Sequence, residues 1–574
     1  MPFFLEGSCI NVFFSSLPFK QSKNQLVKIH RKTGIMYRSI SLVSLAILTS
    51  SLVHAQDVTE AYNLSNMSVQ GTARSMGFGN ALGSVGGDFS TVSVNPAGLG
   101  IYRSSELMAT PSLKINGTSS SYTGVTTNDN TTAFNFNNIG IVLTDVAHRR
   151  RRARSNWQSV SFAFGFNRLA DFNNNYTYTG QNNTSSASLA FESDANLNKS
   201  NAISTPPGSG LGYMGFQSYL LDTNSSGQFY SIVPFTNGVS QLKSSHITGG
   251  INEMSFSLGG SYRDKLLLGI SIGVPFINFQ NSYYYQESLQ NPGAANNTGN
   301  FQSFTYSQDL SITGYGLNAK LGAIYKITDF IRVGAAFHTP TYYSINDVSN
   351  PSIVTNKTTS DSSFALTVDN GGTLQNQFSY NFVTPWKGVI SGTFLLKNIG
   401  FLTADIEYVD YSTMRYIFPS GIDYNLNVPF QEEAEQVNQQ IKKIYKSTVN
   451  FRLGAEYRVT PIFMVRAGAG YYGNPYTAYG QTTNNPWYTN QHVDLSVGAG
   501  LHQGRFFADV ALVHGMYTVY QQPYSVDYSG VISSSPATIP TAKTTYSTNN
   551  VALTLGMKLR NAPRERRRPM RNYN

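Results

Sequence analysis

Residues 449–459 read VNFRLGAEYRV. Val449, Phe451, Leu453, Ala455, Tyr457 and Val459 alternate with Asn450, Arg452, Gly454, Glu456 and Arg458. A period of two sends each set to its own face of a strand, and a helix does not keep that period over this length. The same rhythm returns in 160–167, 491–502 and 551–560. Strands of about 9–11 residues with this alternation cross a bilayer with one face to lipid and the other to a lumen.

Working outward, fourteen strands are expected, near 106–117, 133–146, 157–168, 252–262, 265–280, 310–326, 330–341, 385–396, 400–411, 448–459, 462–473, 491–502, 505–517 and 549–560. The links between them alternate in length. Short ones fall at 147–156, 263–264, 327–329, 397–399, 460–461 and 503–504. Long ones fall at 118–132, 169–251, 281–309, 342–384, 412–447, 474–490 and 518–548. Outer-membrane barrels have short periplasmic turns and long external loops. The expected fold is therefore all-β: a 14-stranded antiparallel transmembrane β-barrel over 106–560. A soluble sandwich would share the strands but not the strict alternation of links.

Composition agrees. Of 574 residues only 13% are charged and 13% are aromatic, with 50 Gly. That is too aromatic for a disordered chain. Residues 36–55, MYRSISLVSLAILTSSLVHA, have a basic start, a short apolar run and a small-x-small end at Ala55. They read as a cleaved secretory signal, with 1–35 an upstream extension and Met36 the expected start. The one Cys, Cys9, precedes that cleavage point. The mature chain then has no disulfide, no thiolate metal site and no Cys nucleophile.

The net charge is +10, but six basic residues and one Glu precede position 56, which leaves +5. Two compact runs, Arg149–Arg154 and the tail from Arg560, carry most of the rest. Neither is a basic stripe interleaved with aromatics, so nucleic acid is not an expected partner. Both are expected in the periplasm, the tail spanning 561–574, where they could meet lipid headgroups or a periplasmic partner. Within the strands, Arg332, Asp405, Glu407, Arg452, Glu456, Arg466 and Asp494 sit opposite the apolar sets. Charge at the lipid midplane costs about 2–4 kcal/mol, so these side chains are expected in the lumen. Both signs occur, which suits internal ion pairs and a plug as well as a water channel.

Residues 56–105 are rich in Gly, Ala and Ser and end in the run Asn95-Pro96-Ala97-Gly98. They are too short for a domain of their own and are expected to fold inside the barrel as a hatch. This segment, from Gly71 through Asp88 to Leu99, resembles the hatch of the long-chain fatty-acid transporter (FadL-type) family. Phe164–Phe172, His338-Thr339-Pro340-Thr341 and Asp405–Tyr411 resemble the branch often labelled hemin receptor. The resemblance implies an outer-membrane protein that passes small hydrophobic compounds. Substrate would land among external loops, the hatch would shift, and substrate would leave sideways into outer-membrane lipid through a gap made by a kink in the third strand. Apolar molecules gain nothing from crossing a polar periplasmic mouth. Gly165, Asn167 and Arg168 are the kink candidates, with an ordinary strand end as the alternative.

In 430–446, Ala434, Val437, Ile441 and Ile444 recur at helical spacing, with Glu early and Lys late. This predicts an amphipathic loop helix that either walls a substrate groove or packs on the barrel rim. There is no H-E-x-x-H or phosphate loop, and the His residues show no metal spacing. No catalytic residue, metal or cofactor is expected, and nothing selects a haem ligand. A second class stays open: a structural or secretion-associated barrel of the same fold that binds a protein partner.

Overall fold

The structure is a computed structural model. It describes residues 58–147, 155–198, 210–293, 297–359, 362–369, 376–397, 399–423, 428–478 and 492–559. The expected signal sequence, its upstream extension, the Arg149–Arg154 run and the 561–574 tail lie outside the described residues.

Fourteen strands form the wall: β1 Glu106–Tyr122, β2 Val125–Val146, β3 Trp157–Asp171, β4 Val239–Tyr262, β5 Leu266–Leu289, β6 Phe301–Lys326, β7 Ile331–His338, β8 Lys387–Leu396, β9 Gly400–Asp410, β10 Ser447–Arg458, β11 Phe463–Tyr472, β12 His492–Gln503, β13 Phe506–Gln521 and β14 Ala542–Lys558. Each pairs antiparallel with the next, and β1 pairs with β14, Glu106 opposite Lys558, so the sheet closes on itself. Closure leaves no sheet edge in lipid, which is what permits strands to cross a bilayer.

The alternation sorts the faces. In β10, Phe451, Leu453 and Tyr457 are exposed outward, while Asn450, Arg452 and Glu456 are buried inside. Exposed apolar side chains such as Leu268, Ile270, Ile390, Leu495 and Leu553 continue this lipid-facing band around the wall. Among the described residues no helix is long and apolar enough to cross a membrane.

The strands run further outward than expected. The predicted long loop 118–132 is strand: β1 and β2 continue to a two-residue turn at Thr123-Gly124, both with positive φ. Such a turn suits Gly. Likewise the 342–384 link holds strands Tyr342–Thr359, Ser362–Asp369 and Asn376–Val383. These stand above the apolar band, where both faces meet polar surroundings and hydrophobic alternation no longer marks a strand. Residues 188–238 add two helices, α4 Ser188–Leu197 and α5 Leu211–Gln217, which pack with Phe229, Phe301 and Phe304 into a separate external core.

Residues 58–105 fold within the barrel as three short helices, Val58–Ser65, Ala73–Gly77 and Thr91–Val94, and a 3-10 turn, Pro96–Ile101. Most of their side chains are buried. The loop helix spans Phe430–Ile444.

Candidate functional site

The hatch is held by backbone contacts at one side and by ion pairs at the other. Asn95 caps the 3-10 turn: its Oδ1 accepts from Ala97 N at 3.1 Å, with Pro96 at the first turn position. Asn favours a cap and Pro favours that next position. The Asn95 amide also donates to Gly83 O at 2.6 Å, and at 3.4 Å to the carbonyls of Ala323 and Ala335 on β6 and β7. One side chain thus ties two hatch segments to two wall strands. The wall accepts them because it presents Gly there. A Cβ on Gly269 would strike the Pro96 carbonyl and Ala97 N, and one on Gly322 would strike Asn95 Oδ1. Gly98 packs on Gly86 and Thr91 within the hatch, and Ala97 on Leu267 and Ile324.

On the opposite side, Arg74 of the hatch meets Glu456 at 3.2 Å, and Glu456 also binds Arg466 at 2.8 Å. Arg466 reaches Asp509 at 2.7 Å. Asp405 accepts from the Gly83 backbone N–H at 3.0 Å and lies 3.9 Å from Arg452, which pairs with Glu407 at 3.2 Å. Arg332 donates to the Val85 carbonyl at 3.1 Å. Asp494 stands apart, partly exposed beside His492 at 2.7 Å. Of the seven charges named from the sequence, Arg332, Asp405 and Glu456 touch the hatch, Arg466 and Arg452 pair with Glu456 and Asp405, and Glu407 pairs with Arg452. Buried ion pairs are costly to break once formed, since each leaves a charge unpaired.

The wall breaks between β2 and β3. Their ladder runs from Val146–Ser159 only as far as Asn138–Asn167. Beyond it, β2 residues 125–137 pair with β1 alone among the described residues. Asn137 is an extra residue in β2 where the register slips opposite Thr110 and Pro111. Past Asn167 the third strand turns inward. Lys114, Asn116 and Thr118, all on the lumen side of β1, bind its continuation at Asp171, Asn173 and Asn175. Asp171 gathers the turn, accepting from Lys114 at 3.0 Å, Arg168 at 3.0 Å and Asn135 at 2.6 Å.

Of the kink candidates, Asn167 stands at the last β2 pair and donates to Ser93 of the hatch at 2.9 Å. Arg168 sits in the bulge against β4 and donates to Gly249 O at 2.9 Å. Gly165 lies two residues before the last β2 pair; a Cβ there would meet Ile139 O and Gly140 Cα of β2 as well as the Phe89 ring of the hatch. Sequence reasoning gave Asp171 no role of its own, although it stands three residues after Arg168 in the chain.

The hatch lies against the turned-in strand. Ser68 N donates to Leu169 O at 2.9 Å and Gln70 N to Arg168 O at 2.8 Å. Beside this edge is a cavity of about 60 Å³, lined by Met67, Val69, Val94, Leu169, His338 and Lys387 among others. It has room for a few waters and not for a long acyl chain. The Asn95–Gly98 run is not part of its lining; it pins the hatch from behind. His338 donates from Nε2 to Val94 O at 2.8 Å.

Above the hatch, the loop helix packs its apolar face on the first hatch helix. Ala434, Ile441 and Ile444 are buried and Val437 partly so, in one cluster with Ala61, Leu64 and Tyr411. Tyr62 stacks on Tyr445 with centroids 5.7 Å apart, and Tyr445 Oη donates to Val58 O at 3.0 Å. The face that could line a groove is covered by the hatch in this conformation.

One carboxyl in this upper chamber is unusual. Asp347, on Tyr342–Thr359 outside the apolar band, is buried between Ile312 and Phe378, and neither oxygen has a hydrogen-bond partner among the described residues. Burial pushes it up to about 7, with Glu60 and Asp347 both near the Tyr380 hydroxyl. A carboxyl raised in the folded state favours folding fully below its ordinary pKa near 4 and loses that contribution as pH rises to 7. Asp347→Asn should therefore melt a few degrees higher than the parent above pH 7, with the difference shrinking as pH falls to 4, read by thermal unfolding in detergent.

Among the described residues no cluster of His, Cys, Asp or Glu could hold a metal. His502 pairs with Asp509 and His514 with Asn549.

The family described as outer membrane protein transport protein (OMPP1/FadL/TodX) matches residues 243–526. Similar solved structures include a FadL homologue of Pseudomonas aeruginosa, at 12% identity and a TM-score of 0.49, covering 86% of this chain and 100% of that one. Others are the toluene transporter TbuX of Ralstonia pickettii, at 14% and 0.44, and the toluene transporter TodX of Pseudomonas putida, at 13% and 0.45, each covering 85% of this chain and 98% of theirs. No curated protein matches the chain. With its closed fourteen-strand wall and internal hatch, the chain is an outer-membrane β-barrel that resembles the OMPP1/FadL/TodX transport protein family over residues 243–526.

Proposed function

We propose that this barrel takes up hydrophobic compounds of the long-chain fatty-acid type and releases them sideways into the membrane between β2 and β3. The observation that carries the reading is the ladder that stops at Asn138–Asn167 while β3 turns into the lumen. Unpaired backbone groups facing lipid cost several kcal/mol, so a strand left open at membrane depth needs a reason and a restraint. Asp171 and its three partners are the restraint. At the inner lip, the Asn138 amide is buried with neither polar atom bonded among the described residues, which leaves a donor and an acceptor for a substrate headgroup. Exposed Phe134 and Phe136 flank the open edge on its lipid side.

Passage follows from the parts. A substrate enters under the external loops, displaces the first hatch helix from the loop helix, and passes the Ser68–Gln70 edge toward the break. No energy source is needed, because the substrate moves down its own gradient from water to lipid.

Proteoliposomes carrying the barrel should take up labelled oleate or toluene well above empty vesicles while excluding sugars. Asp171→Ala frees the turned-in strand to pair with the open edge of β2, so uptake should drop about tenfold, a loss of roughly 1.4 kcal/mol in barrier terms. Sugars passing as readily as oleate would overturn the hydrophobic reading. An Asp171→Ala barrel that is folded and still transports at the parent rate would overturn the lateral route.

A further inference from the structure

On the lipid-facing side of the wall, below the break, lies a hollow of about 780 Å³ across β3 to β7. Its floor is made of small residues, including Gly260, Ala323 and Ala335, and its walls of Leu258, Leu268 and Phe337. The same strands carry small residues on both faces: Gly259, Gly269 and Gly322 face hatch residues 95–100, while Gly260, Ala323 and Ala335 face outward and leave the outer surface dented.

The hollow continues into a polar rim. Trp157, at its edge, lies across Gly260 and meets Tyr262 edge-to-face at 5.6 Å. The Arg263 guanidinium stands 5.4 Å from the Tyr262 ring, and its Nε donates to Asn156 Oδ1 at 3.1 Å. Lys265 is exposed in the same turn. No described ion pair takes up Arg263 or Lys265; Asp264 between them is bound to Arg103 at 3.0 Å. Arg263 lies three residue steps beyond Gly260, and Lys265 three steps before Leu268. That is about 10 Å of strand. Aromatic rings of this kind sit at headgroup depth, and short turns mark the periplasmic side.

We propose that this hollow and rim form a binding site for one anionic phospholipid of the periplasmic leaflet, its acyl chain in the hollow and its phosphate on Arg263 and Lys265. The apolar floor excludes a protein loop's backbone, which would be left without hydrogen bonds in lipid. Two cations in one turn favour an anionic headgroup over a zwitterionic one. The proposal does not depend on what the barrel transports.

The test is native mass spectrometry of the detergent-purified barrel with added phosphatidylglycerol, alongside phosphatidylethanolamine and inorganic phosphate. One retained phosphatidylglycerol is expected, resistant to phosphate. Each of Arg263→Glu and Lys265→Glu should weaken retention about fivefold. Ala335→Phe, which fills the hollow from an exposed position, should weaken it with both cations in place. Folding of each variant is checked by heat-modifiable migration. Equal retention of both lipids, displacement by inorganic phosphate, or retention unchanged in folded Ala335→Phe would each overturn the site.

Discussion

A barrel carrying Gln70→Cys and Arg168→Cys should stop transporting when oxidised and recover when reduced. The two positions face each other across an antiparallel bridge between the hatch and the turned-in strand. Antiparallel partners lie about 4.5–5.5 Å apart at Cα, inside the range a disulfide spans. Cys9 lies before the expected cleavage site, so the mature chain offers no competing thiol. The bond would pin the hatch edge that lies between the small cavity and the break, across the route proposed above. Since that cavity has room for waters alone, a hydrophobic chain can pass only if Ser68–Gln70 part from Leu169 and Arg168. Uptake of labelled oleate should fall at least about tenfold on oxidation, which corresponds to roughly 1.4 kcal/mol or more. Arg168→Cys alone removes the contact with Asp171, so it serves as the reference for the reducible part of the effect. Full uptake by the oxidised pair would mean that substrate does not pass this edge.

The strands were legible because the bilayer writes them into the sequence. Lipid on one face and a packed lumen on the other force period two, and β10 shows it at every position from Asn450 to Tyr457. The outward extensions were not legible for the same reason. Over 118–132 the chain reads TSSSYTGVTTNDNTT, in which Thr, Tyr and Val favour strands but Ser, Asn, Asp and Gly dilute them, and there is no apolar face because neither face meets lipid there. The loop helix was legible from its 3.6 period. What covers it was not: the first hatch helix lies hundreds of residues earlier, and nothing in 430–446 names its partner.

The site was legible in its charges and obscure in its backbone. Arg452 or Glu456 must point inward on cost alone, whatever it meets there. The bend in β3 depends instead on contacts from other strands, Lys114 of β1 and Asn135 of β2 above all. Within 157–168 the candidates Gly165, Asn167 and Arg168 are visible in the chain, but the contacts that end the ladder at Asn167 come from outside it. The same blindness hid the wall's receptor for Asn95-Pro96-Ala97-Gly98, since Gly269 and Gly322 look like weak points of a strand until the hatch backbone is seen against them.

Those two glycines carry the largest structural prediction. Gly269→Leu or Gly322→Leu should leave the barrel folded and undock the hatch. A Cβ at Gly269 enters the space of the Pro96 carbonyl, and one at Gly322 that of Asn95 Oδ1. These are backbone and capping atoms, which cannot step aside as the end of a long side chain would. Overpacking of this kind costs about 1–3 kcal/mol. It also separates the Asn95 amide from Ala323 and Ala335, each bond worth about 1 kcal/mol. The wall ladder itself does not use the Gly side of the residue, so β5 and β6 keep their pairing. The ion pairs through Arg74 and Asp405 would then hold the hatch at one side only. The expected result is a barrel that still migrates as a folded species, with ionic conductance in planar bilayers raised at least about tenfold and the hatch cut early by trypsin at Arg74 or Arg103. Ala substitutions at the same positions place the same Cβ and should give the same direction with a smaller effect. If Gly322→Leu stays sealed and resists trypsin, the hatch is held by its ion pairs and the Asn95 pin contributes little.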